Sequence, residues 1–118
     1  MVEDDRTLGR LFTEILRVAG YQPEHAQDGK QTLERLPKLL PALLMLDLHL
    51  PDMSGIDVIQ QMRQDERLKH IKVIVITADL PRVAEARVYA DAVLVKPVDY
   101  AQIMETIETV MKSTAGEN

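Results

Sequence analysis

Apolar residues recur at three- and four-residue spacing from Asp5 to Ala19, at Leu8, Leu11, Phe12, Ile15 and Leu16, with Arg6, Arg10, Glu14 and Arg17 between them. That period predicts an amphipathic helix, capped by Asp5 or Arg6 and stopped by Gly20. Tyr21 to Ala26 is a short mixed segment that suits a strand, and Asp28-Gly29 then turns the chain into a helix around Lys30 to Leu36. Pro37 and Pro41 confine the next connection. Ala42 to Leu46 is apolar throughout, the pattern of a parallel strand covered on both faces. Ser54 and Asp57 have the spacing of a capping box ahead of the stripe Ile56, Val58, Ile59 and Met62. "KVIVI", Lys72 to Ile76, is rich in β-branched residues and predicts another buried strand. Pro81 to Ala90 is a weaker helix with a thin stripe of Val83, Ala86 and Val88, and Ala92 to Val95 is a short strand. Asp99 and Gln102 make a second box-like cap, for a helix whose buried face is Ile103, Ile107, Val110 and Met111.

Strands and helices therefore alternate through short connections. Alternation of this kind means parallel strands with right-handed helical crossovers, an α/β fold with a doubly wound sheet. Ligands bind such sheets beyond the carboxyl ends of the strands, where the strand order reverses. A single domain is expected over residues 1–112, with 113–118 a polar tail or the start of a linker. Only Met1-Val2 precedes the acidic "EDD", whereas a strand takes ~5 to 6 residues. The expectation is a first strand truncated by an incomplete N-terminus, since a sheet lacking most of an inner strand leaves its neighbours' ladder groups unpaired.

Composition narrows the function classes. The 118 residues suffice for one domain with a real core, and the 46% apolar and 28% charged content is that of a globular protein. Without cysteine there are no disulfides or thiolate metal sites, which agrees with a cytoplasmic location. No apolar run approaches the ~20 residues needed to span a bilayer, so no membrane partner is expected. A net charge of -5 and 3% aromatic content argue against direct nucleic-acid binding. Neither a Walker loop nor a G-x-G-x-x-G stretch is present.

What stands out is where polar residues fall. Glu3, Asp4 and Asp5 follow the first strand stub, Asp47 follows "LLML", Thr77 follows "VIVI", and Lys96 follows "AVLV". Any one of these is commonplace at a strand end, but together they gather on one edge of the sheet. Clustered carboxylates repel at reduced dielectric unless a cation or a shared proton relieves them. An all-oxygen set without Cys or His suits a hard ion, Mg²⁺ rather than Zn²⁺. The Lys96 ammonium and the Thr77 hydroxyl could then hold an anion such as a phosphoryl group, with Asp47 as the nucleophile that forms an acyl phosphate.

These residues carry a resemblance. Through "VEDD", "DGKQTLERL", "LMLDLHLPDMSGIDVI", "VIVITA" and "VLVKPV", nearly the whole chain resembles a receiver domain of a two-component response regulator. The resemblance implies a flavodoxin-like five-stranded parallel sheet of order 2-1-3-4-5, flanked by helices. It implies that Asp47 accepts phosphate from a sensor histidine kinase or histidine phosphotransfer protein, and that Asp4 and Asp47 ligate Mg²⁺ directly. The backbone carbonyl of His49 completes the protein ligands, and Glu3 acts through water. Thr77 and Lys96 contact the phosphoryl group, Lys96-Pro97 is similar to the family's cis peptide, and Gly55 fits a tight entry to the third helix. His49 and Asp79 occupy positions that gate or orient the attacking water. An output domain or a receiver dimer is the implied recipient of the signal.

The chain also departs from the family pattern. At the switch position three residues before the lysine, where the family commonly has an aromatic that moves with the threonine, stands Val93. The segment from Thr77 to Lys96 is about three residues short of the usual crossover, which predicts an altered fourth helix and an altered output face. His25 and His70 are expected at the surface, and Arg6, Arg10 and Arg17 form a basic line on the first helix, a solvated face or a docking stripe for an acidic rim around the donor histidine. The first reading is therefore a phosphorylatable receiver that catalyses only its own phosphorylation and dephosphorylation, and is otherwise not an enzyme. A degenerate receiver acting as a phosphorylation-independent interaction module is the alternative. A Mg²⁺-dependent phosphohydrolase ranks lower, because His49 stands where such enzymes carry their second acid.

Overall fold

A computed structural model describes residues 1–2 and 6–115, with side-chain surroundings for 1–2 and 9–112. Glu3, Asp4 and Asp5, and the expected cap at Asp5, lie outside the described residues. The elements are α1 (Arg6–Val18), α2 (Gly29–Leu39), β1 (Leu43–Leu46), α3 (Gly55–Gln64), β2 (Lys72–Thr77), a 3-10 turn (Leu80–Arg82), α4 (Val83–Tyr89), β3 (Ala92–Val95) and α5 (Tyr100–Ala115). α5 thus carries three residues past the expected domain edge at residue 112.

β1, β2 and β3 form a continuous parallel sheet in that order, with Leu44 opposite Val73 and Val75 opposite Val93. Beyond β1 the sheet continues through single residues, because Val2 bridges Leu46 on one side and Ala26 on the other, both in parallel. Among the described residues the spatial sequence Ala26, Val2, β1, β2, β3 is the order 2-1-3-4-5, with its first two members represented by bridges. Tyr21 to Ala26 is accordingly not a continuous strand. Pro23 has no N–H to give to a ladder, and among the described residues the segment pairs with Met1 and Val2, with Ala26 N–H donating to the Met1 carbonyl (3.0 Å) and the Met1 ammonium to the Glu24 carbonyl (2.8 Å).

Alternation along β2 divides the core, since successive side chains point to opposite faces. Val73 and Val75 pack with Leu36, Ile56, Val58, Ile59, Met62 and Ala86 from α2, α3 and α4. Ile74 and Ile76 pack with Phe12, Leu16, Ile103, Ile107 and Val110 from α1 and α5. The stripes predicted for α3 and α5 are the buried faces observed. In α1, Leu11 is instead 55% exposed, and in α4 Val88 is 75% exposed, leaving Ala86 as the only fully buried side chain of that helix.

The ends of the helices follow local chemistry. Gly20, at φ +100°, follows α1 where a left-handed residue suits glycine. Asp28 caps α2 by accepting from Gln31 N–H at 2.7 Å. Pro37 does not end α2 but lies within its last turn, and the helix closes at Leu40, held left-handed at φ 43° by an N–H bond to the Leu36 carbonyl (2.8 Å). The Asp99–Gln102 box is complete, each side chain accepting the other's backbone N–H at 2.8–2.9 Å. At α3 the cap is one-sided, with Ser54 Oγ accepting from Ile56 N–H at 3.2 Å and Asp57 pointing to solvent.

Candidate functional site

Asp47 ends β1 as a rigid extension of the apolar run. Its N–H donates to the Val2 carbonyl at 3.0 Å, so the segment that carries the acidic residues 3–5 is joined to it directly. Although charged, Asp47 is only 5% exposed. A buried carboxylate needs partners, and both oxygens have one. Oδ2 accepts from Lys96 Nζ at 2.8 Å, and Oδ1 accepts from the His49 backbone N–H at 3.0 Å. Lys96 follows β3 and Thr77 ends β2, so three adjacent strand ends deliver the carboxylate, the hydroxyl and the ammonium to one edge of the sheet.

Close packing fixes the exit from this edge. Gly55 N–H donates to the Leu48 carbonyl at 2.8 Å, and a Cβ on Gly55 would lie 2.5 Å from the carbonyl oxygen of Asp47 and 2.9 Å from Leu48 Cα. Neither is an atom that can yield, so only glycine allows α3 to start this close to the acceptor strand. Lys96–Pro97 is a cis peptide.

A second layer of polar groups borders the site. Thr77 is fully buried, and its Oγ1 accepts the Asp79 N–H at 3.0 Å, leaving the hydroxyl proton to be donated elsewhere. His49 Nε2 lies 3.1 Å from Asp79 Oδ2. These two positions, which the resemblance made modulators of one chemistry, therefore touch each other. Val93 is half-buried against the core that includes Tyr89 and Ala90 of the α4 region.

Of the sequence-predicted site residues, the structure brings Asp47, His49, Thr77, Asp79 and Lys96 together. Glu3 and Asp4 lie outside the described residues. The donor set within them is hard oxygen, with the Asp47 carboxylate held at the rim by main-chain and ammonium donors, and it fits a hard cation in type. Of the basic line on α1, Arg10 is exposed and Arg17 is paired with Glu14. His70 is exposed as expected, but His25 is half-buried, its ring filling the space beside Gly9 of α1. A groove of about 680 Å³ between Pro23–Ala26 and the start of β1 lies at the opposite ends of the strands from Asp47.

Several structurally important residues gave no signal in the sequence. Arg63 donates to the carbonyls of Tyr89 (3.1 Å), Lys69 (2.9 Å) and Ile71 (2.8 Å) and pairs with Asp91 (3.2 Å), joining α3 to the end of α4. Asp91 also accepts from Val73 N–H at 2.8 Å. Asp52 reaches back to the start of α2, accepting from the N–H groups of Gly29 and Lys30 at 2.8 Å each. The Gly29 N–H bond, with the positive end of the helix behind it, holds the Asp52 carboxyl below its ordinary value.

Comparison with known proteins agrees with this geometry. The sequence model of the response regulator receiver domain matches residues 1–108. The polar-differentiation response regulator DivK of Brucella ovis is 30% identical over 114 residues, covering 94% of this chain and 93% of its own. A CheY-like response regulator receiver domain protein from Methanospirillum hungatei superposes with a TM-score of 0.90 at 25% identity, over 99% of this chain and 94% of that one. Response regulator protein TrrA from Thermotoga maritima, solved in complex with Mg²⁺-BeF, gives a TM-score of 0.85 at 25% identity over 92% and 94% of the two chains. The strand-end constellation on a doubly wound sheet and these matches lead to one conclusion: the chain belongs to the response regulator receiver domain family of two-component signalling.

Proposed function

We propose that this chain is a phospho-acceptor receiver in which Asp47 takes a phosphoryl group from a phosphohistidine of a sensor histidine kinase or phosphotransfer protein. The observation that carries this is the buried Asp47 carboxylate held by Lys96 Nζ at 2.8 Å and the His49 N–H at 3.0 Å, at the ends of adjacent parallel strands. Receiver domains act with histidine kinases and output domains; here the specific donor is given by its chemistry, a phosphorylated imidazole.

An Asp47 oxygen forms the new O–P bond as the P–N bond to the donor breaks, and the imidazole leaves with the bonding pair. Lys96 is placed to follow the charge from carboxylate to phosphoryl oxygen, and the Thr77 hydroxyl proton can be donated to another of those oxygens. Mg²⁺, for which Glu3, Asp4, Asp47 and the His49 carbonyl are the proposed ligands, would neutralise charge on the transferring group. His49 and Asp79, in contact at the rim, govern access of water to the acyl phosphate. The chain is thus a regulated switch that catalyses only its own modification, acting in the cytoplasm through an output domain or a receiver dimer. No helix among the described residues is long and apolar enough to cross a membrane.

Incubation with a small phosphodonor and Mg²⁺ should incorporate phosphate into the wild type and none into Asp47→Ala; equal incorporation in both overturns the assignment. Val93, in place of a switch aromatic, favours a second reading as a phosphorylation-independent interaction module. An NMR spectrum before and after beryllofluoride separates the two. Shifts reaching Val93 and α5 mean a working relay, and no shifts mean the module.

A further inference from the structure

Arg82 joins the two loops that leave the phospho-acceptor edge. Its Nη1 donates to Ser54 Oγ at 2.8 Å, and its Nε lies 3.8 Å from Asp79 Oδ2. Ser54 is the cap of α3, at the end of the loop that begins with Asp47; Asp79 follows Thr77. Since Asp79 also meets His49, and His49 bridges Ser54, the contacts close a ring through His49, Asp79, Arg82 and Ser54 that is tied to Asp47 by the His49 N–H. Arg82 is the last residue of the 3-10 turn and immediately precedes α4.

We propose that Arg82 is a positioning residue, a latch that holds the Thr77 loop and the start of α4 against the cap of α3 until Asp47 is modified, and that modification works against it to move α4. This rests on the reading of Asp47 as the acceptor.

Three observations support the direction of the effect. A phosphoryl group on Asp47 adds negative charge beside His49, the residue that meets the Asp79 carboxylate, which disfavours the present arrangement of Asp79. The Thr77 oxygen accepts the Asp79 N–H, so a shift of that hydroxyl toward a new anion draws the Asp79 backbone with it. Finally, α4 buries only Ala86 completely, so polar ties weigh more in its placement than in that of α3 or α5. One tie, Arg63 at the Tyr89 carbonyl, holds its end; Arg82 holds its start. With Val93 in the ring position, this loop-to-helix contact supplies a route for the signal that a valine side chain does not. Because Arg82 is 47% exposed, the latch is weak. A weak bias is enough to shift a two-state equilibrium several-fold.

The test is titration of beryllofluoride, with Mg²⁺, into the wild type, Arg82→Ala and Arg82→Lys, together with native-state amide exchange. Arg82→Ala should bind beryllofluoride about three- to tenfold more tightly, because the competing arrangement has lost a charge-assisted bond. Arg82→Lys, which keeps the charge but not the fork, should fall between. Amide exchange over Val83–Ala90 should quicken in Arg82→Ala while that of Ile103–Val110 is unchanged. A merely structural arginine would give the faster exchange without the tighter binding. Equal or weaker binding by Arg82→Ala, beside a wild type that does bind, overturns the latch alone. If the wild type binds no beryllofluoride, the acceptor reading is what fails and the latch, which rests on it, falls with it.

Discussion

At the scale of single residues, a run of apolar residues ending on a charge was the informative signal. Asp47, Thr77 and Lys96 were legible because a buried strand has no local use for a carboxylate, a hydroxyl or an ammonium at its carboxyl end. Asp47 and Lys96 depend on one another: side-chain exposures of 6% and 19% make this a largely buried pair. Removing one member of such a pair strands the other in low dielectric. Lys96→Met should therefore lose about 2–4 kcal/mol of unfolding free energy, read by urea denaturation in the absence of Mg²⁺, in addition to slowing phosphate incorporation. Arg63, Arg82 and Asp91 were not legible for the converse reason. Each looks like an ordinary surface charge in its own helix or turn, and each has a partner 26 or 28 residues away in sequence.

Elements were read correctly where a period of 3.6 or an unbroken β-branched run was long enough, as in α3, α5 and β2. They were read less well where tertiary contacts decided the outcome. On α1, Phe12, Ile15 and Leu16 face the sheet and α5, and Leu11 stays exposed. Pro37 lies inside α2 at the cost of one backbone N–H bond, and the helix closes soon after it, at Leu40. The start of the same helix is held by two carboxylates, Asp28 from its own cap and Asp52 from the loop after Asp47, so the phospho-acceptor loop and α2 are tied together. This tie has a definite pH dependence. The folded state depresses the Asp52 carboxyl below its ordinary 3.8, so the unfolded state binds more protons near that value. The contribution is complete above it and lost as the pH falls through the lower folded value. Asp52→Asn should be less stable than the wild type by about 0.5 kcal/mol at pH 7, a small figure because the carboxylate is exposed. In thermal unfolding the gap should close on acidification below pH ~4; a gap that persists there contradicts the assignment.

Across the whole molecule, the order 2-1-3-4-5 places β1 and β2 in the interior and so puts Asp47 and Thr77 at the most enclosed part of the edge. The sequence predicted the short first strand, but it could not show that, among the described residues, the second position is bridged only through Ala26 of the Tyr21–Ala26 segment, because pairing depends on which backbone groups meet rather than on residue type. Nor could it show that α4, thin in apolar residues, is secured at both ends by arginines from neighbouring elements. Leu40, at the far side of the fold from Asp47, opens a different prospect. A leucine with φ 43° and 56% of its surface exposed carries the cost of a left-handed residue with little burial to offset it. Leu40→Gly should raise stability by about 0.5–1 kcal/mol, or about 4 °C in melting temperature, with beryllofluoride affinity unchanged. A gain of that size would make the helix end an engineering reserve: a more heat-resistant signalling part could be made from the chain by one substitution remote from Asp47.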